Sequence, residues 1–445
     1  MQYREWAVAT AITLGAALFH LWILLRPPLI PGVDGPFYLI QVESILRGEG
    51  MAYGDPPLLF YASALVAALL GDSRLGVSVT VAALSGLSAL PAYLLIRLAG
   101  GGVAAAAVAG VAVSISQEMV RMSSDLMKNA SGVCFLLFTA LFTCLLLTRG
   151  SRASAIAATA SGYLAFLTHS LDYAYALLYM ASQGLAAYCL AGDRHYTRLW
   201  LASLTALTSA SLLTMLALPQ YFSDLWKGVA FLEDLLRIGR PTQPPPTPPP
   251  AAHPSPPPLP PLQLALPLSF LVAGCLLLAE SLQRGAEALV ISSSLAAGAL
   301  SLTPALLGLR EWGWRFALMD LVPVALIAGV LVSRAGSRLS QLAISTVIVG
   351  LVVGQAITQA YQVRPSIPYE AYLDLLEIRH LIPLNAPYAL HCRGVSKYWP
   401  EYVLGWPPGG QPRYVISDRP LLGGPALRLV YRGRLLWLYE VRLRG

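Results

Sequence analysis

Eleven apolar runs, each close to the length of a bilayer core, decide what this chain can fold into. They occupy residues 6–25, 76–96, 101–117, 130–148, 153–168, 172–191, 199–218, 262–280, 287–308, 316–333 and 340–360. Lipid offers no partner for a backbone N–H or C=O, so runs of this kind must be helices. The composition agrees, with 56% of residues hydrophobic and only 12% charged. A soluble globular protein of this size has no use for so much apolar surface. The sequence therefore predicts an all-α polytopic membrane protein. The first run is too long for a signal-peptide core and has no small-residue cleavage site after it, so it reads as a retained anchor.

A further apolar run, 58–71, has fourteen residues. That is short for a span and suits a juxtamembrane helix lying at the interface. This reading sets the orientation of everything downstream. With the N-terminus in the cytoplasm, the tight turns at Arg97, Arg149, Arg152, Arg194, Arg198, Arg284, Arg334 and Arg338 all face the cytoplasm. Arginine in very short loops is the pattern of the positive-inside rule. The first outer loop, 26–75, a second loop, 219–261, and the tail then lie outside the cell membrane.

The net charge of +7 comes from basic residues spread over short loops and the tail. There is no basic stripe, which argues against nucleic acid as a partner. The five cysteines show neither a disulfide framework nor metal-ligand spacing. Within the loop 219–261, residues 223–238 read as an amphipathic helix on the membrane surface. Residues 241–261 are dominated by proline and read as an extended linker, at about 3.1 Å per residue, between two halves of the membrane domain. That domain spans 1–360. Residues 362–445 read as a small extracytoplasmic α/β domain with a modest core of its own. Its predicted parts are a helix at 368–381, strands at 388–392 and 413–417, and a hairpin from 427 to 443.

Four polar clusters fall on the outer side in this topology. The first is Pro31-Gly32-Val33-Asp34-Gly35-Pro36-Phe37-Tyr38. Its prolines and glycines disfavour a continued helix, so Asp34 is expected on an irregular interfacial loop. The second runs from Gln117 to Asn129 and contains Asp125. The third is Thr168-His169-Ser170-Leu171-Asp172, and the fourth Arg310-Glu311-Trp312-Gly313-Trp314-Arg315. The cytoplasmic turns hold nothing comparable. Asp320 lies inside the tenth run, where a charge is costly and functional by default. Its simplest partner is an arginine at the outer end of the bundle, and Glu311 is the other candidate buried acid.

This layout resembles the C-type glycosyltransferases (GT-C), integral membrane enzymes that take sugars from polyprenyl-phosphate lipids. The shared features are an acid near the start of the first outer loop, the Pro56-Pro57-Leu58 element opening a juxtamembrane helix, and a second acid after span three. Short motifs agree, among them Asp34-Gly-Pro-Phe-Tyr38, Gly48-Glu-Gly50 and Leu90-Pro91-Ala92-Tyr93. The resemblance covers roughly residues 6–360. It implies a sugar transferred from a polyprenyl-phosphate donor to a glycan, lipid or protein acceptor.

By that resemblance Asp34 matches the general base. A sugar hydroxyl is a poor nucleophile until a positioned carboxylate takes its proton. The departing phosphate needs positive charge, for which Arg310 and Arg315 are candidates, since guanidinium grips phosphate through paired hydrogen bonds. His169 and Tyr38 are further candidates for substrate or phosphate binding. Asp125 matches the second acid. Relatives that transfer oligosaccharide to protein carry an acid-x-acid pair there that helps hold a divalent metal. Here it reads Asp125-Leu126-Met127, so a metal on Asp34 and Asp125 is left open. The Trp-Trp-Asp signature of that branch has no match in Tyr398-Trp399-Pro400-Glu401 or Gly405-Trp406-Pro407-Pro408. A monosaccharide donor follows.

Structural readings stand beside these. Asp125 can pair with Lys128 or Arg121, His169 can be a packed interfacial histidine, and Arg310 and Arg315 can be anchors beside Trp312 and Trp314. Two other functions remain. One is a transporter or lipid flippase, for which Asp320 speaks. The other is a catalytically silent scaffold, which the missing acid-x-acid pair would suit.

Overall fold

Every one of the eleven apolar runs carries helix in the computed structural model. It describes residues 3–191, 194–222, 225–236, 261–282, 285–383, 386–392, 395–405, 410–421 and 426–442. Helix α1 (Tyr3–Leu25) leads into a first loop that holds α2 (Gly35–Leu46) and α3 (Leu58–Leu70). Next come α4 (Ser73–Leu87) with α5 (Ala89–Leu98), α6 (Val103–Ile115) with α7 (Gln117–Asp125), and α8 (Met127–Arg149). The first half ends with α9 (Arg152–Thr168), α10 (Ser170–Ala191) and α11 (Arg194–Ala217). A short α12 (Leu225–Leu236) precedes α13 (Pro261–Ser281), α14 (Ala286–Leu306), α15 (Arg310–Met319), α16 (Leu321–Ser333) and α17 (Arg338–Gln362). The expected proline-rich linker lies outside the described residues as far as Pro261, where α13 starts.

Among the described residues, eight helical stretches are long and apolar enough to cross a membrane. They are α1, α4–α5, α6–α7, α8, α11, α14, α15–α16 and α17. The chain is an integral multi-pass membrane protein. Small residues run through its core: Ala92, Ala105, Ala106, Ala109, Ala140, Ala297 and Ala325 are all buried in one cluster. Small side chains let helix backbones approach closely where lipid supplies no hydrophobic drive between them. At Gly86 a Cβ would lie 2.5 Å from the Ala17 backbone nitrogen, so glycine there is what lets α4 touch α1. His20 is buried in α1, its Nδ1 2.9 Å from Ser123 Oγ and its Nε2 2.7 Å from the Ser114 carbonyl. Both ring nitrogens are thus satisfied, as burial demands.

The first loop corrects one expectation. Gly35-Pro36 does not keep the segment irregular; it starts α2, with Asp34 at the N-cap position. A proline in the first helical turn loses nothing, because the N–H groups there have no helical partner.

The tail contains α18 (Tyr369–Leu381), β1 (Tyr388–His391), α19 (Tyr398–Leu404), β2 (Tyr414–Ser417), β3 (Leu427–Arg432) and β4 (Trp437–Val441). The strands form one sheet in the order β1-β2-β4-β3, with β1 and β2 parallel and the other pairs antiparallel. Helix α19 is absent from the sequence reading, as is the sharing of the core. Leu375, Ile378, Ile416 and Leu438 of the tail pack in one cluster with Leu39, Val42, Leu59 and Phe60 of the first loop. The tail has no separate core, because its inner face is closed by the loop that carries Asp34. Inside it, buried Asp374 accepts backbone N–H bonds from Arg434, Leu435 and Leu436 at 3.0, 2.7 and 2.8 Å. That carboxylate organises the turn between β3 and β4.

Candidate active site

The carboxylate of Asp34 is brought inward by its neighbour Gly32. Gly32 has φ +84°, and a Cβ there would meet the Ser124 carbonyl oxygen at 2.0 Å. Only glycine tolerates both the left-handed backbone and the close approach. The loop therefore presses onto the last turn of α7, and the Gly32 N–H donates to the Arg364 carbonyl at 3.0 Å. Arg74 secures the start of the loop through the carbonyls of Leu25 and Pro28, at 3.1 and 2.9 Å.

Asp34 lines a cavity of about 470 Å³. Tyr38, Lys128, His169, Trp312 and Arg315 line it too. Side chains from the four polar clusters, distant in sequence, thus surround one space. Its apolar lining comes from Leu171, Leu177 and Leu300 on α10 and α14, and from Phe231 and Phe316. Helix α12 forms one wall. Phe231 stacks on Phe316 with centroids 5.0 Å apart, and Trp312 Nε1–H donates to Asp234 at 3.0 Å.

The charges are arranged as follows. Lys128 Nζ is ion-paired with buried Asp55. The Lys128 backbone N–H donates to the Tyr38 hydroxyl at 3.1 Å. Burial, helped by the charge of Asp34, raises the Tyr38 phenol well above its ordinary value, so it stays neutral. His169 Nδ1–H donates to Asp172 at 2.9 Å, and Asp172 is fully buried. At Gly132 a Cβ would lie 2.4 Å from that Asp172 oxygen, so glycine on α8 makes room for the carboxylate. Arg315 is exposed, with its guanidinium 5.2 Å from the centroid of the Trp314 ring.

Three placements differ from the sequence reading. Lys128 pairs with Asp55 and not with Asp125, since the loop after α2 carries Asp55 onto the start of α8. Asp125 stands behind the cavity lining; it accepts from the Val33 N–H and has Arg121 and Asp34 as charged neighbours. Asp320 bonds to Ser301, and no arginine pairs with it among the described residues. The helix break before α16 turns it inward, toward α14. Arg310 and Glu311 begin α15, but their side chains lie outside the described residues. Trp406, Pro407 and Pro408 lie outside them as well.

A divalent cation of the kind the oligosaccharide-transferring branch implies needs several oxygen ligands. Among the described residues no group of three or more His, Cys, Asp or Glu side chains could hold one. Asp34 and Asp125 bring two carboxylates, one of them already engaged by Val33. This donor set does not fit a resident metal.

Lys128 and Asp55 are the site residues that sequence reasoning missed. One signal was present: Lys128 is among only three lysines in the chain. A lone lysine kept where arginine serves elsewhere marks a place needing a compact charge.

This bundle of helices with a small terminal sheet is a fold shared with solved membrane glycosyltransferases. The chain is similar to the oligosaccharyltransferase of Archaeoglobus fulgidus, at 16% identity and TM-score 0.58, over 89% of this chain and 64% of that one. It is similar to ArnT from Cupriavidus metallidurans bound to undecaprenyl phosphate, at 13% identity and TM-score 0.59, over 98% of each chain. The chain thus spans less than two thirds of the length of the oligosaccharyltransferase. A family model described as dolichyl-phosphate-mannose-protein mannosyltransferase matches residues 54–221. No curated protein matches the chain in sequence.

Proposed function

We propose that this protein transfers a glycosyl group from a polyprenyl-phosphate donor to an acceptor hydroxyl on the extracytoplasmic face, with Asp34 as general base. The observation that carries the reading is one cavity lined by Asp34 and by two cations, Lys128 and Arg315. The acceptor oxygen attacks the anomeric carbon as the bond from that carbon to the phosphate oxygen breaks. The proton passes to Asp34 and the bonding electron pair leaves with the phosphate. One displacement of this kind inverts the anomeric centre.

The leaving group is a stable anion and asks for positive charge, not for a strong acid. Arg315 grips a phosphate through paired hydrogen bonds and Lys128 acts as a point charge. His169, held by Asp172, adds a third nitrogen ligand. Tyr38 remains a neutral hydrogen-bonding group. The apolar lining suits a prenyl chain, and the undecaprenyl phosphate bound to ArnT supports a lipid of this class. The acceptor is a glycan, a lipid or a protein. The arginine turns support a cytoplasmic N-terminus and an extracytoplasmic C-terminal part.

The transporter reading leans on Asp320, which faces Ser301 and does not line the cavity. The test is Asp34→Asn, assayed in membranes for transfer from a radiolabelled polyprenyl-phosphate sugar. Loss of a general base predicts about a hundred- to ten-thousandfold lower rate. Unchanged transfer removes the base assignment, and uptake of label without product favours transport.

A further inference from the structure

A second cleft, of about 490 Å³, opens where the far end of α2 meets the tail. It is as large as the cavity at Asp34 and falls in the size range of small-molecule sites. Its polar lining is Glu43 and Arg47 from α2, Tyr372 and Arg379 from α18, Tyr388 from β1 and Tyr402 from α19. The walls are held in place by hydrogen bonds. Tyr402 donates to Glu43 at 3.1 Å, and Tyr388 donates to the Gly405 carbonyl at 2.8 Å. Burial and the neighbouring Glu43 raise the Tyr402 phenol above its ordinary value, so it remains a hydroxyl donor.

We propose that this cleft binds an anionic saccharide, the part of the acceptor remote from the hydroxyl that reacts. The proposal rests on the transfer reading above. Two guanidinium groups from separate elements converge there, which is the arrangement that recognises a carboxylate, sulfate or phosphate on a ligand. Arg47 already has a partner in Glu49, at 2.9 Å. Arg379 makes no ion pair among the described residues, so a ligand's charge falls to it first. Glu43 and the phenols supply acceptors and donors for hydroxyls, and the tyrosine rings supply the flat apolar surface that a sugar ring needs.

Distance decides between acceptor and donor. Glu43 lies nine positions after Asp34 on the same helix, about 14 Å at the rise of an α-helix. The donor's phosphate is tied to lipid and belongs beside Lys128 and Arg315. An acceptor longer than one sugar reaches from Asp34 along α2 into the cleft. Helix α2 then acts as a ruler, with the base at one end and the recognition groups at the other.

The full chain, purified in detergent, is titrated calorimetrically with three probes. They are a glucuronate-containing tetrasaccharide from hyaluronan, neutral maltotetraose and inorganic phosphate. The expected result is binding of the charged tetrasaccharide at least tenfold tighter than of either other probe. Arg379→Ala should weaken it at least tenfold and Arg379→Lys less. Arg379 is exposed, so its variants fold. Equal binding of maltotetraose, equal binding of phosphate, or no response to Arg379→Ala would each overturn the proposal. Binding is read without turnover, so failure of the base assignment at Asp34 shows up separately, in the transfer assay alone.

Discussion

Lys128→Met gives the sharpest test of the cavity. The wild-type lysine is ion-paired with Asp55, and the two side chains are 12% and 6% exposed. Methionine keeps the length of the side chain and removes its charge. Removing one partner of a buried pair costs about 3–5 kcal/mol, because the other charge stays behind without compensation. Asp55 is 5% exposed and does not line the cavity, so a loss within that range, about 3–5 kcal/mol, is expected. Adding Asp55→Leu to the same chain removes the orphan. Apolar replacement of a whole buried pair is close to neutral, so the double variant should regain most of the lost stability. Binding of polyprenyl phosphate should not return with it. One charge-assisted contact is worth about 1.5–3 kcal/mol, or roughly ten- to a hundredfold in affinity. Thermal unfolding in detergent should rank wild type first, the double variant next and Lys128→Met last. Equilibrium binding of the lipid should be weak in both variants. A single variant as stable as wild type would refute the structural half of the reasoning, and a double variant that binds like wild type would refute the functional half.

Three further outcomes are expected. Gly132→Ala places a methyl 2.4 Å from Asp172 Oδ2, so it should displace the partner of His169 and lower transfer, at a stability cost of about 1–3 kcal/mol; full transfer activity would show that the pair does not serve the site. Asp374→Ala leaves three backbone N–H groups of the β3–β4 turn without their acceptor, a loss of about 3 kcal/mol that hydrogen exchange should report as earlier opening of residues 427–441. Burial pushes the Cys392 thiol up from 9.0 to about 11. At pH 8 about one thiol in a thousand is then thiolate, and alkylation should be slow and rise about tenfold per pH unit. The folded chain holds that proton more tightly than the unfolded one, so the associated stability is present below pH 9.0 and is lost as pH rises toward about 11.

Much of the bundle was legible because membrane helices are specified locally. A run of apolar residues near 20 long has one way to satisfy its backbone in lipid, and no distant residue is needed to see it. The strands of the tail were legible for a similar reason, through short alternating segments bounded by turn residues. Asp34, Tyr38, His169 and Arg315 could be nominated singly, because a charged or polar group beside a long apolar run stands out. Helix α2 was not, since Gly35-Pro36 reads as a breaker unless it opens the first turn. Helix α19 was not, since its tryptophan and tyrosines take their meaning from the surface they meet. Tyr53 bonds to Glu401, and Phe37 lies 5.2 Å from Tyr398, across more than 300 residues.

From the sequence alone came a membrane bundle, a small terminal sheet and a set of conspicuous polar residues, all properties of segments that interact with solvent or lipid on their own. Pairing was decided only in three dimensions. Asp55 reaching Lys128, Asp172 seated against Gly132, Asp320 turned to Ser301 and the tail closed by the first loop each depend on two segments whose separation carries no local trace. Charges choose partners by distance and burial, and both exist only once the helices have packed.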